Sequence, residues 1–220
     1  MLLAAATAHA GDRRVPVDPN EPPWNAIAKV QTNIGEHCSG VLIAPSVVLT
    51  AAHCLYNPRT RALLQPLSLH VLLGYQRGQY RWHRLVAGYT VGLGFDPVFR
   101  SPQAWDWARL DLSEPVPVIP LPVAGKVPPP GTAITLAGYN QDKAQLLMAD
   151  VDCPLRHATN QSYGATFRVH DCAGTRGTSG GPLLARQGDN WVVVGIAIAA
   201  GGGENLALLP PLGDLLSKTH

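Results

Sequence analysis

The chain has 220 residues, of which 46% are hydrophobic and 15% charged, and its formal net charge is +2 at pH 7. This length and balance suit one large or two small globular domains and disfavour intrinsic disorder. Because the charge forms no basic stripe or acidic tail, and no segment approaches about 20 apolar residues, we expect neither a nucleic-acid partner nor a membrane span.

Residues 1–10, Met-Leu-Leu-Ala-Ala-Ala-Thr-Ala-His-Ala, are an apolar stretch that ends in Ala8-His9-Ala10. An A-x-A pattern after an apolar stretch is typical of the end of a secretory signal, with cleavage after Ala10. The stretch is short and has no positively charged region before it, so an ordinary apolar N-terminus is the alternative. We expect a secreted or periplasmic protein.

Six segments of the first half have the apolar and β-branched composition of strands. They are residues 26–31, 39–43, 47–50, 67–73, 81–89 and 108–112. The run Leu-Thr-Ala-Ala-His-Cys places His53 after two of these segments, and Asp106 lies between two tryptophans at the mouth of another. The aromatic neighbours could shield Asp106 from water, which favours a role in orienting a histidine.

Residues 114–131 contain prolines at 115, 117, 120, 122, 128, 129 and 130 and divide the chain into two halves. Proline cannot continue a central strand, so this segment favours an extended connector. Six further strand segments follow, at residues 133–138, 145–151, 166–169, 180–184, 191–199 and 206–209. The pattern predicts an all-β protein.

Ser179 lies in the run Gly-Thr-Ser-Gly-Gly-Pro at residues 177–182. Glycines tolerate positive φ, so this run could hold Ser179 on a tight turn with its N–H and that of Gly177 aimed at one point. Two such donors make an oxyanion hole. A serine nucleophile also needs a histidine and an orienting carboxylate, and His53 and Asp106 precede it in the order found in chymotrypsin.

On three motifs the chain resembles the trypsin/chymotrypsin-like serine endopeptidases, and more closely their bacterial secreted branch. The motifs are Cys38-Ser39-Gly40 with residues 49–54, Asp106-Trp107-Ala108, and residues 177–182. The resemblance implies two six-stranded antiparallel β-barrels with the active site in the cleft between them, and a short C-terminal helix. We place an N-terminal barrel at 11–118, a Pro-rich connector at 119–130, a C-terminal barrel at 131–220 and the helix at 211–218.

The resemblance also implies a monomer that cleaves polypeptides through a triad of His53, Asp106 and Ser179, without a cofactor. Four cysteines allow three disulfide connectivities, and the family pairs cysteines at the positions of Cys38 and Cys54, which leaves Cys153 with Cys172. A zinc site is disfavoured because no C-x-x-C pair occurs, and His37, Cys38, His53 and Cys54 lack the usual ligand spacing.

The specificity pocket is expected to have Ala173 at its base, six residues before the nucleophile. The other expected substrate contacts are Thr175, Arg176, Ile198, Ala199 and Ala200. Without a carboxylate at position 173, an apolar or small substrate side chain is the first expectation. A shift of the loop would instead bring Asp171 or Glu204 towards a basic side chain, or Arg176 towards an acidic one.

Two departures from the family pattern bear on mechanism. Thr178 stands where the animal digestive enzymes carry the aspartate that pairs with a newly cleaved N-terminus, so we expect a site formed without such insertion. Arg13-Arg14-Val15 could be a processing site or a solvated segment. The family often has a serine near position 198 that helps to hold the triad aspartate, whereas Ile198 offers only its backbone, which predicts looser orientation of Asp106.

Other functions remain open at this stage. A protease-like binding protein that has lost turnover, or an esterase with the same triad, would share these motifs. Asp111 is the only nearby competitor for the acid, but it lies one position out of the Asp-Trp-Ala pattern and is assigned to the surface. The histidines without a motif around them are interpreted as surface or packing residues; they are His70, His83, His157, His170 and His220.

Overall fold

The structure, a computed structural model, describes residues 12–126, 128–160, 166–201 and 204–210. Its strands are β1 (Val15–Pro16), β2 (Ile27–Thr32), β3 (His37–Ala44), β4 (Val47–Thr50), β5 (Tyr56–Asn57), β6 (Ala62–Leu63), β7 (Leu69–Leu73), β8 (Trp82–Val91), β9 (Ala108–Leu112), β10 (Ala133–Gly138), β11 (Met148–Asn160), β12 (Thr166–His170), β13 (Pro182–Gln187), β14 (Asn190–Gly201) and β15 (Glu204–Leu209). Short 3-10 helices span Trp24–Ala26, Ala52–Leu55, Pro66–Ser68, Gln103–Trp105 and Gln141–Lys143.

Six strands of the first half close into an antiparallel barrel in the order β2-β3-β4-β9-β8-β7. Their Val, Ile and Leu side chains suit a pleated, packed surface, and all four residues of β4 are buried. Leu42, Leu49 and Leu110 are fully buried inside it. Because β4 pairs with β9, the chain segments that adjoin these two strands lie near each other.

Six strands of the second half form the other antiparallel barrel, in the order β11-β10-β13-β14-β15-β12, which pairing of β11 with β12 closes. Ile134, Leu155 and Val194 are buried in its core. The prediction of two six-stranded antiparallel barrels is therefore confirmed, and each of the twelve predicted segments coincides with a barrel strand.

Strand ends differ from the prediction where pairing or local chemistry overrides composition. The predicted segment 67–73 begins as a 3-10 helix, because Pro66 favours a helical start, and becomes a strand only at Leu69. Segment 145–151 was predicted too short, since β11 continues to Asn160 by pairing first with β10 and then with β12. The two-residue strands β1, β5 and β6 were not predicted.

The segment that precedes the first barrel lies on the second one. Strand β1 pairs with β11, and the Val17 N–H donates to the Leu147 carbonyl at 3.1 Å. Residues 15–17, which the predicted N-terminal unit of 11–118 includes, therefore contact the second barrel. In the segment predicted as a connector, the Leu121 N–H donates to the Leu42 carbonyl in β3, and the Ala124 N–H donates to the Val193 carbonyl in β14.

Each barrel carries one disulfide. Cys38 pairs with Cys54 and Cys153 with Cys172, with Cα atoms 6.1 Å and 5.1 Å apart. Both expected pairings are confirmed. The chain-entropy model gives a loop of this size about 3 kcal/mol of stabilisation, and the first bridge also ties β3 to the turn that holds His53.

Two predicted features, the signal at residues 1–10 and the helix at 211–218, lie outside the described residues. In the described part of the chain, no helix has the length and apolar character needed to cross a membrane.

Candidate active site

His53 and Asp106 contact each other at the rim of the first barrel. His53 lies in the 3-10 turn after β4, and Asp106 follows the 3-10 turn Gln103–Trp105 just before β9. The Nδ1 of His53 and the Oδ2 of Asp106 are 2.8 Å apart, and the backbone N–H of His53 donates to Oδ1 at 2.9 Å. Since the carboxylate accepts at Nδ1, the proton of the neutral ring lies there and Nε2 is free to accept one.

Asp106 is only 2% exposed, and its neighbours Ala104 and Trp107 are buried as well. This agrees with the shielding that the sequence pattern suggests. Ile198 supplies no hydroxyl to hold the carboxylate, but both carboxylate oxygens accept bonds from His53. The bond from the backbone N–H fixes Asp106 independently of the imidazole.

Ser179 lies on a turn that requires glycine on both sides. Gly177 and Gly180 have φ of +90° and +77°, values that side chains rarely adopt. A Cβ at Gly177 would collide with the Tyr139 carbonyl, and one at Gly180 would collide with the hydroxyl of Thr50. The turn is closed by the Gly181 N–H, which donates to the Thr178 carbonyl at 2.7 Å.

The N–H groups of Gly177 and Ser179 have no hydrogen-bond acceptor among the described residues. The carbonyl of Arg176 accepts from Gln141 at 2.6 Å, and that of Thr178 accepts from Gly181. Because the C=O and N–H of a trans peptide point in opposite directions, the N–H groups that follow these carbonyls point away from those contacts. Gly177 and Ser179 can therefore donate to a bound group.

Ser39 of β3 joins the first barrel to this turn. Its backbone N–H donates to the Ser179 carbonyl at 2.8 Å, and its hydroxyl donates to the Gly177 carbonyl at 2.8 Å. The same hydroxyl accepts from the Tyr139 N–H at 2.8 Å, and Ser39 is fully buried. One residue of the first barrel therefore fixes the Ser179 turn of the second.

Thr178 is bonded to an asparagine rather than to a chain terminus. Its hydroxyl donates to Asn140 Oδ1 at 2.6 Å, and the same oxygen accepts from the Thr175 N–H at 2.9 Å. Thr178 and Asn140 are both buried. Thr178 and Asn140 thus form a neutral hydrogen-bonded pair rather than an ion pair.

The segment Asp12–Arg14 binds the same loop from outside, and we call it the N-terminal clamp. The Arg14 guanidinium donates to both oxygens of Asp142, at 2.9 and 2.6 Å, and also bonds Asp12. The Thr175 hydroxyl donates to Asp142 at 2.7 Å. Arg14, and next Thr175, hold the pKa of Asp142 well below its usual range. Arg13 donates to Asp150 at 2.9 Å while its side chain stays 46% exposed, so both arginines form ion pairs with the second barrel.

Two adjoining cavities open beside Ser179, and Arg100 and Arg176 line both. The Ile198 cavity, of about 320 Å³, is bounded by Thr178, Ile198 and Ala199 among others. The His53 cavity, of about 500 Å³, is bounded by His37, His53 and Gly177 among others. His53 and Ser179 therefore face one space, at the boundary between the two barrels.

Four of the six residues predicted to contact substrate line the Ile198 cavity; they are Thr175, Arg176, Ile198 and Ala199. Ala173 is not among the described residues that line it, because its N–H donates to Asp150 Oδ2 at 2.6 Å and ties it to β11. Ala200 pairs through its backbone with Asn205, and its side chain lies outside the described part of the structure.

The Ile198 cavity is also lined by two polar residues that were not predicted to contact substrate. They are His170 at the end of β12, and Asn205 opposite it on β15. His170 was interpreted as a surface or packing residue; it is buried, and it also borders the cavity. No sequence motif marks either residue. Only the pairing of β12 with β15 brings them together.

Cys38, His53 and Cys54 place two sulfurs and a ring nitrogen within 4.8 Å of one another. Both sulfurs belong to a disulfide, so neither is a thiolate that could bind a metal. This cluster therefore offers only one free ligand atom.

A family model and a curated relative both match most of the chain. The family model described as Trypsin matches residues 13–210. A curated relative named Tryptase, from Mus musculus, is 29% identical over 209 residues, which cover 80% of this chain and 74% of the relative.

Solved structures share the fold at lower identity. A Glu endopeptidase solved in complex with MPD superposes with a TM-score of 0.75 at 22% identity, over 90% of this chain and 91% of that chain. The VesB protease of Vibrio cholerae gives a TM-score of 0.66 at 18% identity, over 89% of this chain and 63% of that chain.

Proposed function

The chain belongs to the trypsin family and is a serine-type endopeptidase, and from that premise we propose that His53, Asp106 and Ser179 are its catalytic triad. The observation that carries the proposal is the 2.8 Å contact between His53 Nδ1 and Asp106 Oδ2, beside a cavity that Ser179 also lines. The family acts on polypeptides, so a peptide bond is the group to be cleaved.

In this mechanism Ser179 Oγ attacks the carbonyl carbon while His53 Nε2 takes the hydroxyl proton. Asp106 holds the imidazole in the required tautomer and stabilises the imidazolium. The N–H groups of Gly177 and Ser179 donate to the developing oxyanion, and the loss of one such donor typically lowers the rate about 100- to 1,000-fold. His53 then protonates the leaving amine, and water hydrolyses the acyl-enzyme.

We further propose that the site is formed without insertion of a new N-terminus. The bond from Thr178 to Asn140 and the N-terminal clamp hold the loop while the Arg14–Val15 peptide bond is intact. Cleavage after Arg14 would create a new N-terminal ammonium group, and the neutral Thr178 side chain could not form an ion pair with it. Cleavage after Arg14 is therefore not needed for activity in this proposal.

We propose that the protein is secreted or exported to the periplasm, because its two disulfides form and persist in an oxidising compartment. A monomer is proposed as the active form, because the triad lies within one chain. A binding protein without turnover and an esterase are the alternatives, and the two hydrogen bonds from His53 to Asp106 favour an enzyme over the first.

A serine-directed fluorophosphonate tests the proposal on the chain whose Arg14–Val15 bond is shown by mass spectrometry to be intact. We expect stoichiometric labelling of Ser179 and none of the variant Ser179→Ala. Ser113→Ala, which changes an exposed serine, is the matched control and should label like the unmodified chain. Absence of labelling would contradict the triad, and labelling only after cleavage at Arg14 would contradict the preformed site.

A further inference from the structure

The charged side chains that border the Ile198 cavity are positive. Arg100 and Arg176 lie at its border, and none of the described residues that line it is acidic. Its volume, about 320 Å³, is within the usual range for ligand pockets. The described part of the cavity therefore favours an anionic occupant.

His170 contributes a buried donor to the same cavity. It is 1% exposed, and its Nδ1 accepts a hydrogen bond from the Cys172 N–H at 3.2 Å. Burial lowers the pKa of His170 to about 4, so the ring is neutral near pH 7. Because Nδ1 is an acceptor, the single ring proton must be on Nε2.

The Nε2–H of His170 has no hydrogen-bond partner among the described residues. Asp171, the nearest acid along the chain, pairs through its carboxylate with Arg156 at 2.5 Å and lies 3.9 Å from the Arg13 guanidinium. Across the sheet, the Asn205 side-chain amide donates to the Cys172 carbonyl at 2.6 Å. Buried hydrogen-bond donors are normally paired with an acceptor. A group bound in the cavity, which His170 lines, can supply the acceptor for this N–H.

We infer that the Ile198 cavity binds an acidic side chain of the substrate, on the acyl side of the scissile bond, and that the His170 Nε2–H donates to its carboxylate. This inference rests on the proposed function, which places the scissile carbonyl at Ser179. Arg100 and Arg176 attract the same charge from the cavity border. His170 is thus a specificity-determining residue for glutamyl or aspartyl peptide bonds.

Other side chains fit the cavity less well. An apolar group, which Ala173 at the base had favoured, would cover the His170 N–H without accepting its hydrogen bond. A lysine or arginine would face two guanidinium groups and no described acid. A glutamine could accept the hydrogen bond, but it carries no charge to be attracted by the arginines, so it should rank second.

Peptides that differ only in the residue before the scissile bond test the inference on the full chain. We expect kcat/KM for glutamate to exceed that for glutamine about 10-fold and that for leucine about 100-fold, with lysine lower still. A preference for leucine or lysine overturns the inference, whatever the behaviour of any variant.

Variants then assign the preference to one residue. His170→Leu should lower kcat/KM for the glutamyl peptide about 10- to 100-fold, the range for a hydrogen bond to a charged group, and change the leucyl peptide little. His170→Gln, which keeps an N–H donor, should recover part of the loss. The matched control is His157→Leu on β11, whose side chain is exposed. Equal loss with every peptide would mean a structural role and would overturn the assignment.

Binding separates this inference from the proposed function. Ser179→Ala should bind product peptides that end in glutamate more tightly than those that end in leucine, as measured by calorimetry. If fluorophosphonate labelling fails but this binding preference holds, the triad is wrong and the cavity inference survives. If Ser179 is labelled but neither cleavage nor binding favours the acid, the triad survives and the cavity inference is wrong.

Discussion

The two carboxylate oxygens of Asp106 accept different hydrogen bonds and have different structural effects. Oδ1 accepts from the His53 backbone and fixes the position of the acid, while Oδ2 accepts from the ring and fixes its tautomer. An asparagine side chain has one acceptor oxygen in place of two, so it could accept from either the His53 backbone N–H or the His53 ring, but not from both in the same geometry. The residue is therefore sensitive to the loss of charge even where its packing is unchanged.

We expect Asp106→Asn to lower kcat about 10,000-fold with little change in fold. If the amide oxygen keeps the bond to the His53 N–H, the amide nitrogen faces Nδ1 and drives the ring proton to Nε2, which can then no longer accept the serine proton. Steady-state kinetics with a peptide substrate measures the effect, and circular dichroism checks the fold.

The control for that change is Asp111→Asn. Asp111 is five residues further along and is paired with Arg109 at 2.8 Å, outside the site. Its substitution should leave kcat within about threefold. A similar loss in both variants would assign the effect to folding rather than to the tautomer.

Among the structural elements, the loop before Ser179 depends on a partner that is distant in sequence. Strand β1 delivers the N-terminal clamp to this loop by pairing with β11. The bonds run from Arg14 to Asp142, and then through Thr175 to Asn140 and Thr178. No motif predicts this connection, because it depends on a two-residue strand whose partner lies more than 130 positions away.

Asp142→Asn should lower Tm by about 1–4 °C at pH 7, the effect of losing roughly 0.5–1 kcal/mol from a bidentate ion pair in a chain of this size. Folding lowers the pKa of Asp142 from its usual 3.8, so its stabilisation is complete above pH 5 and is lost as pH falls below 3.8. Thermal melts from pH 2 to 7 should show the Tm difference shrinking in acid.

The comparison for those melts is Glu114→Gln, which removes a loose pair with Arg84 at 3.7 Å in which Glu114 is 72% exposed. We expect a Tm change of less than about 1 °C at every pH. A Tm difference for Asp142→Asn that stays constant down to pH 2 would show that the carboxylate charge is not the cause.

For the whole molecule, sequence predicts the architecture well and the residues that line the Ile198 cavity only in part. The twelve barrel strands have a local composition, and His53, Asp106 and Ser179 stand in short motifs, so both are predictable. His170 and Asn205 become neighbours only through the register of β12 on β15. Ala173 was placed in the cavity by counting residues, but a hydrogen bond to Asp150 draws it away.

Ser39 is one of the residues that join the two barrels, together with Lys29 and Tyr139, which also bond across the boundary. Ser39→Ala removes a donor to Gly177 and an acceptor for Tyr139, both within the buried interface. We expect the free energy of unfolding to fall by about 1–3 kcal/mol, and kcat to fall at least 10-fold because the Ser179 turn loses a fixed contact. Denaturant titration and kinetics measure the two effects.

Ser113→Ala again serves as the exposed control and should change neither quantity. If Ser39→Ala lowered stability but left kcat unchanged, the Ser39 hydroxyl would not be needed to position the Ser179 turn, because the variant keeps the backbone bond from residue 39 to the Ser179 carbonyl. That result would contradict the role of the Ser39 hydroxyl in the site.

The division of the site between two barrels also has a consequence during synthesis. A chain emerges from its N-terminus and folds domain by domain, so the strands of the first barrel, which end at Leu112, are available seconds before Ser179 is added. In the proposed mechanism the nascent polypeptide therefore carries His53 and Asp106 without a nucleophile until Ser179 is added. The order of translation thus allows proteolytic activity to arise only after the second barrel has received Ser179.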